Sequence, residues 1–525
     1  MSTTYHVAPL LVLALATAAH GQDGSVDLSF GVDGLFHQDW GSYGSGANDM
    51  AIQPDGKIVM AGYDSGDEGY YAVARCLPNG TLDPSFSFDG LIRTSIRGGY
   101  SWGEHLALLP DGRIAVSGLC DTLPSDEDGF ITGAVVMYAA DGALDVDFGA
   151  NGMLIATVAG GSVRIGEMLA TDDGGLLLAG TSAQGVTMMK LTGDGDPDNS
   201  FSFDGIALTS IEGLYAEVRS MLVQDDGRIL VIGSAGSYSS DTTFVVRYAQ
   251  NGSLDPTFGN GGVVLHVSNH PNTQMNGAVL LGDGRILLCG VLQEDSEYRP
   301  SIVMLAADGV PDASIGPNGI RMLDLAIDRG QADAAILLPN GKIALAGRAD
   351  TDDGSYAAVF RLTPEFDVDP TFGNSGWSGV EATGIESGID QHHFYALAMQ
   401  ADGNIMAAGY AGFDGENIMI SARFMNDNGT GLGTVTSDPH RPLILSPNPV
   451  TDRAYISFAL EKSERCSLHL FDATGALVQT ILMDQWLPPG IHQRSIDLRT
   501  LSTGTYVLSL VTTYNTRTIS LIKQP

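Results

Sequence analysis

The chain has 525 residues, of which 44% are hydrophobic and 17% charged, with a formal net charge of −36. That length accommodates two or more domains, and so acidic a chain should repel nucleic acid and anionic membrane surfaces. Beyond the N-terminal stretch there is no run of ~18 consecutive apolar residues, so no transmembrane helix is expected.

Residues 1–21 read as a secretory signal. Ala8 to Ala19 is apolar but too short to span a bilayer, and Ala19-His20-Gly21 offers a cleavage site before Gln22. The acidity is concentrated in residues 22–428, which hold 55 acids against 18 bases. Its plain reading is solubility outside the cell, and its sharper one is binding of divalent cations.

Two short phrases alternate along residues 22–428. The first is VDLSFGVDG (26–34), LDPSFSFDG (82–90), LDVDFGANG (144–152), PDNSFSFDG (197–205), LDPTFGNGG (254–262), PDASIGPNG (311–319) and VDPTFGNSG (368–376). Its second position is always aspartate: Asp27, Asp83, Asp145, Asp198, Asp255, Asp312 and Asp369. A turn-bonding role is expected of these carboxylates. The second phrase begins as QPDGKIVMAG (53–62) and returns six times, with turn glycines Gly56, Gly112, Gly174, Gly227, Gly284, Gly341 and Gly403. These glycines lie 53 to 62 residues apart, a period that marks a repeat architecture.

Each second phrase is a polar turn followed by an apolar run, the pattern of a β-hairpin. Proline presets φ, Asp or Asn bonds its own backbone, and glycine takes the left-handed conformation cheaply. A closing glycine follows the turn glycine by six residues in all seven copies. Segments such as Leu106–Leu109 before the turn, and Thr243–Tyr248 after the variable loop, supply further strands. Four strands per repeat, seven repeats and no helical periodicity predict an all-β fold, a seven-bladed β-propeller. An open β-solenoid is the alternative, but radial closure would protect the strand edges. Spacing leaves open which strand lies innermost, and whether the N-terminal strand completes the last blade.

Candidate chemistry is sparse. Cys76, Cys120, Cys289 and Cys466 show no CxxC spacing, and buried thiols are expected over a Cys76–Cys120 disulfide. Acidic loops follow the closing glycines, for example Asp64, Asp67 and Glu68; Asp121, Asp126, Glu127 and Asp128; Glu294, Asp295 and Glu297; and Asp350, Asp352 and Asp353. On a propeller they would share one face, but they lack regular ligand spacing. The single best calcium candidate is Asp194, Asp196 and Asp198, alternate carboxylates on a turn without the glycine and distal glutamate of an EF-hand. Repeat seven carries a five-residue insertion in a stretch with Glu386, Asp390, His392 and His393. Adjacent histidines on a strand face opposite ways, so this pair is not expected to share a metal. No nucleophile elbow, Cys–His arrangement or phosphate-binding glycine loop is present.

Residues 429–442 are rich in Gly, Thr, Ser and Pro and read as a flexible linker. In 443–525, alternating strands at Ala454–Phe458, Ser467–Phe471, Ala476–Val478, Thr505–Leu510 and Thr518–Ile522 predict a small immunoglobulin-like β-sandwich.

The paired LDPTFG and QPDGKI phrases resemble the delta-60 repeat family across residues 26–428, with Ser87 and Ser202 in place of the first motif glycine, Ile315 for the phenylalanine and Asn340 for the turn aspartate. These departures read as drift within a scaffold. The last domain resembles the type A C-terminal sorting domain of the type IX secretion system. The residues that carry this are Pro447-Asn448-Pro449, the LFDATG run with Asp472 and Gly475, and LSTGTY with Gly504 and Tyr506. The resemblance implies a Bacteroidota-type source, engagement of the type IX machinery through residues 443–525, and delivery to the outer-membrane surface or the medium. The expected role is a secreted binding module for a polysaccharide or a protein. The alternatives are a glycan-processing enzyme and a structural surface or adhesion component. Neither phrase carries chemistry of its own, so the choice falls to the folded site.

Overall fold

The computed structural model describes residues 23–426 except 42–43, 67–68, 122–130, 212, 238–239, 267–272, 295–296, 382–391 and 414–415, and the strands within 444–523. The expected signal segment 1–21, the linker 429–442, Pro447, Asn448, Pro449 and Gly475 lie outside the described residues, as do Asp67, Glu68, Asp126, Glu127, Asp128, Asp295, Glu386 and Asp390. The chain divides into two compact units, a body ending at Met425 and a second unit that includes Asn426–Pro525.

Among its described residues the body holds seven four-stranded antiparallel sheets. The first comprises Ser45–Ile52, Ile58–Asp64, Tyr70–Cys76 and Leu91–Thr94, and the next five repeat the plan. The seventh takes three strands from the end of the body, His392–Met399, Ile405–Phe413 and Glu416–Phe424, and its fourth, Leu35–Gln38, from the beginning. Leu35 pairs with Ala422 and Gln38 with Met419, so the N-terminal strand closes the ring. The strand preceding each turn glycine is the innermost, because residues from all seven such strands line one central cavity. Both points left open by spacing are thereby decided.

The turn glycines sit where the sequence places them, all seven with φ between 80° and 92°. The closing glycines have a different cause. In sheets one to six the register between the innermost strand and its neighbour slips by one residue, for instance between Ala47 and Asp49 or between Gly103 and His105. This bulge presses an innermost-strand carbonyl onto the closing glycine. A Cβ at Gly62, Gly118, Gly233 or Gly409 would overlap the carbonyl oxygen of Gly46, Trp102, Glu217 or His393. Only glycine tolerates the approach, and the bulge it permits re-aims the side chains that face the cavity.

The first phrase is an inter-sheet latch. Its aspartate accepts the N–H two residues on, Ser85 to Asp83 at 3.0 Å and Thr257 to Asp255 at 3.0 Å, as expected of a turn-bonding carboxylate. The other carboxylate oxygen meets a cation from the third strand: Arg75 with Asp83, Lys190 with Asp198, Arg247 with Asp255, Arg361 with Asp369 and Arg423 with Asp27, at 2.7–2.9 Å. In the second and fifth sheets that position is Met137 or Met304, and an arginine after the hairpin turn takes over, Arg113 with Asp145 at 3.1 Å and Arg285 with Asp312 at 3.2 Å. Several of these arginines also donate to a carbonyl of the following sheet, Arg75 to Ala140 and Arg247 to Ala307. The phenylalanine beside them is fully buried in six repeats, as at Phe86 and Phe258, and Ile315 fills its place in the remaining one, at 311–319. The backbone N–H after it bonds a turn carbonyl of the next sheet, Ser87 to Asp141 and Gly259 to Asp308. Ser87 and Ser202 hold φ of 48° and 50°, the left-handed conformation of the glycines they replace, so these two departures keep the geometry of the motif.

In the second unit, two sheets enclose an apolar core that includes Ile456, Phe458, Leu468, Leu470, Leu508 and Leu510. One has three strands (Ile444–Ser446, Arg453–Leu460, Gly490–Asp497) and the other four (Leu477–Leu487, Glu464–Asp472, Gly504–Thr512, Thr516–Lys523). The sandwich is as read from the sequence, with two strands the pattern missed, Ile444–Ser446 and Gly490–Asp497. Asp472 pairs with Tyr506 across the sheet, and the buried Tyr506 donates its hydroxyl to the Ser502 carbonyl at 2.9 Å. Gly504 begins that strand with nothing within 4 Å of where its side chain would be.

Candidate functional site in the central channel

Counted back from each turn glycine, the cavity-facing positions are ten, eight and seven residues upstream. The bulge makes the last two usable together, since strict alternation would turn one of them away. The first ring reads Gly46, Trp102, Arg164, Glu217, Gln274, Gln331 and His393. The second reads Asn48, Glu104, Gly166, Arg219, Asn276, Asp333 and Tyr395, and the third Asp49, His105, Glu167, Ser220, Gly277, Ala334 and Ala396. Past these the wall becomes apolar, with Leu106, Met168, Met221 and Leu397. The cavity holds about 760 Å³, within the range of small-molecule sites.

One side of the mouth is aromatic. Gly46 leaves its place in the first ring empty, and a Cβ there would meet the Tyr63 ring at 2.8 Å. Tyr63 leans into that gap and stacks on Trp102, centroids 3.6 Å apart and planes 12° from parallel. Across the closure seam, His393 stacks on Tyr395 at 4.3 Å. Its Nε2 lies 2.6 Å from Asp333, which also accepts from Asn276 and Gln331 at 2.9 Å. His393 thus joins the hydrogen-bond network of Asp333, and His392 is buried beside it in sequence.

Asp49, His105 and Glu167 occupy the same register on three successive innermost strands. Asp49 accepts backbone N–H groups from Met50 and, across to the next sheet, from Leu106, both at 2.7 Å. Glu167 accepts from Met168 at 2.9 Å, and His105 Nδ1 lies 3.7 Å from its Oε1. Water-sized access through the channel leaves a fifth of the His105 and Glu167 side chains open, yet the wall around them is protein. Burial pushes Asp49 up to about 6 and Glu104 to about 7. Burial, with the charge of Asp49 second, pushes Glu167 to about 8. Burial holds His105 down to about 4. At neutral pH the cluster therefore has a protonated Glu167 beside an uncharged His105.

This has a stability consequence. The carboxyl of Glu167 is raised in the fold above its ordinary value of 4.5, so its protonated form favours folding. That contribution is complete below about pH 4.5 and is lost as pH rises through about 8. Glu167→Gln should therefore unfold at the same temperature as the parent near pH 4.5. Near pH 8.5 it should be more stable by about 1–3 kcal/mol, the cost of a buried, incompletely satisfied polar group. Equal melting temperatures at both values in a thermal scan would contradict the burial argument.

The sequence-derived candidates fall elsewhere. Asp198 faces Lys190 at 2.7 Å and accepts from Ser200, which together hold it down to about 2, while Asp194 and Asp196 are exposed on the preceding turn. Among the described residues no cluster of three His, Cys, Asp or Glu is arranged to hold a metal. Among the acidic loops, Asp64 pairs with Arg93 at 2.7 Å, Glu297 with Arg299 at 2.7 Å and Asp350 with Arg348 at 2.8 Å. Cys76, Cys120 and Cys289 are separate buried thiols. No helix among the described residues is long and apolar enough to cross a membrane.

Residues 53–86 and 224–258 match a domain of unknown function, the DUF5122 β-propeller, and residues 445–524 match the secretion system C-terminal sorting domain. No curated protein matches the sequence. Solved structures that resemble it include a catalytically inactive virginiamycin B lyase from Staphylococcus aureus, at 9% identity and a TM-score of 0.43, covering 74% of this chain and 98% of that one. YCF48 from Cyanidioschyzon merolae follows at 9% identity and 0.40, with the same coverage. The polysaccharide lyase Uly1 stands at 11% and 0.41, covering 73% of this chain and 90% of its own. None of these likenesses is close enough to carry an activity across.

Proposed function

We propose that this chain, a DUF5122-type β-propeller exported through type IX secretion by its C-terminal sorting domain to the cell surface or beyond, is a binding module that takes a saccharide unit of an extracellular polysaccharide into its channel mouth. The observation that carries the reading is Trp102, half-buried and backed by the buried Tyr63 ring, lining the same cavity as amide and carboxylate side chains. A flat aromatic surface suits the C–H face of a sugar ring, and amides and carboxylates pair with its hydroxyls in fixed directions. A protein partner would instead find a recessed polar cavity, a poor match to the apolar centre of a protein interface.

The 3.7 Å approach of His105 to Glu167 favours one second reading, a glycan-processing enzyme, since a neutral base beside a protonated acid is a proton-transfer pair. Both readings are tested by retention of the mature chain on a panel of immobilised polysaccharides, followed by product analysis on any that retain it. Trp102→Ala, checked for folding by circular dichroism, should weaken retention at least ~10-fold, the equivalent of about 1.4 kcal/mol. Undiminished binding by the variant, or a blank panel with folded protein, would remove the saccharide reading and leave a structural surface role. New reducing ends or unsaturated products would establish turnover.

A further inference from the structure

A second cavity, of about 330 Å³, lies on the rim of the channel mouth. It is lined by Ile131 of the second sheet, by Ser162, Arg164 and Ser182 of the third sheet and the segment leading into it, and by Leu214 and Tyr215 where the fourth sheet begins. Ser162 and Tyr215 stand twelve residues upstream of their turn glycines, two beyond the first ring, so strand alternation carries them along the same side as Arg164 and Glu217. On the second sheet that position is Tyr100, stacked on Trp102 with centroids 6.2 Å apart. Tyr215 is 64% exposed, and among the described residues its hydroxyl makes no hydrogen bond and no other ring stacks on it.

Arg164 lines both cavities. Among the described residues, fifteen of the eighteen bases of residues 22–428 stand in ion pairs. Arg164 is exposed and makes neither an ion pair nor a side-chain hydrogen bond with any described residue, and it acts on Glu104 only through space. Its neighbour on the first ring, Glu217, is taken by Arg219 at 3.0 Å. In a body where acids outnumber bases 55 to 18, an arginine that finds no carboxylate keeps all its donors for something outside the protein.

The geometry points to a second saccharide subsite in the rim cavity: consecutive units of one neutral, linear chain sit on Trp102 in the channel and against Tyr215 on the rim, with Arg164 donating to both. The inference rests on the saccharide reading above and extends it from one unit to a chain. The rim takes the next unit of the same chain because the two cavities share Arg164 as a wall. A guanidinium presents five N–H donors in a fixed fork, enough to serve hydroxyls of two neighbouring units. Tyr215 offers the second unit a flat face, as Trp102 does the first, and Ser162 and Ser182 add hydroxyls beside it. A chain bearing carboxylates or sulfates would meet the acidic excess of the body as repulsion, so a neutral one fits.

The test is native mass spectrometry of the mature chain with partial hydrolysates of linear β-glucan, xylan, mannan and galactan, which reads the length of every bound oligosaccharide. Hexasaccharides should bind ~10-fold or more tightly than disaccharides. Tyr215→Ala should erase most of that preference, and Arg164→Gln should weaken hexasaccharide binding ~10-fold, the scale of a hydrogen bond to a charged group. Both side chains are exposed, so neither change threatens the fold, and circular dichroism checks this. Equal binding of the two lengths, or hexasaccharide binding undiminished in either variant, overturns the rim subsite and leaves the channel reading standing. A length preference that Tyr215→Ala erases while Trp102→Ala changes nothing puts the chain on the rim alone and overturns the channel reading, and the joint site with it. No bound oligosaccharide of any length overturns both.

Discussion

Replacing Arg361 with methionine should lower the melting temperature by about 6–10 °C, corresponding to about 3–5 kcal/mol for breaking a buried ion pair from one side. Arg361 is the largest fully buried side chain of the body. Its Nε meets Asp369 at 2.8 Å, its Nη1 meets Asp23 at 2.8 Å, its Nη2 reaches both Asp23 and Thr371, and its guanidinium lies 4.5 Å from the centre of the Phe372 ring. Methionine fills much of the volume but supplies no charge, so Asp369 and Asp23 both lose the guanidinium that they share.

The repeat provides its own control. Met137 and Met304 already occupy this position in the second and fifth sheets, and Arg113 and Arg285 cover the aspartate there from the hairpin turn. The fourth sheet has both cations, Arg247 at 2.8 Å and Arg228 at 3.2 Å from Asp255. Arg247→Met should cost less than Arg361→Met, because Arg247 meets one carboxylate, which Arg228 also holds, and Arg361 meets two. Adding Arg228→Ala should cost more than the sum of the single changes, because the second removal strands Asp255. Equal losses for Arg247→Met and Arg361→Met in calorimetric scans would mean that packing, not charge pairing, sets the cost.

The same contrast shows what the sequence disclosed. Turn glycines and phrase aspartates recur because each answers a backbone demand that every repeat shares, so a single chain displays them seven times. The cation that pairs with the aspartate was hidden because it alternates between two positions, 18 residues apart from Lys57 to Arg75, and either one satisfies the carboxylate. The channel residues were hidden for the opposite reason. No backbone demand shared by the repeats fixes the channel-facing side chains, so Trp102, Glu104, His105 and Glu167 have no counterparts to repeat them. One signal was available. Polar pairs such as Asn48-Asp49 and Glu104-His105 interrupt the alternation just ahead of an apolar run, and the closing glycine marks the bulge that turns both members inward. The acidic loops drew attention by composition, yet several of their carboxylates meet nearby arginines. Whether the N-terminal segment belonged to the last sheet stayed open in the sequence, since strand pairing across nearly 390 residues leaves no local trace, as between Leu35 and Ala422.

That long-range pairing leads to the largest expected effect. Removing residues 23–38 should abolish the folded body at 25 °C rather than merely soften it. The segment supplies the fourth strand of the seventh sheet, the fully buried Phe30, the buried Phe36, and Asp23 and Asp27 for the Arg361 and Arg423 latches. Losing a buried phenylalanine costs about 3–5 kcal/mol, and Arg361 and Arg423 each lose one of the carboxylates they meet. The two phenylalanines alone set about 6–10 kcal/mol against the 5–15 kcal/mol that holds a typical domain, and the lost strand pairing and ion pairs add to it. Truncation also bares the Glu416–Phe424 strand as an open sheet edge, the kind of edge that templates association between chains. Size-exclusion chromatography should accordingly show aggregates, and near-ultraviolet circular dichroism should lose its aromatic signal. A synthetic peptide of residues 23–38 added during refolding should restore both, because the missing contacts are all made by that one segment. A truncated chain that stays monomeric and melts like the parent would show that sheets one to six hold the ring without its closing strand.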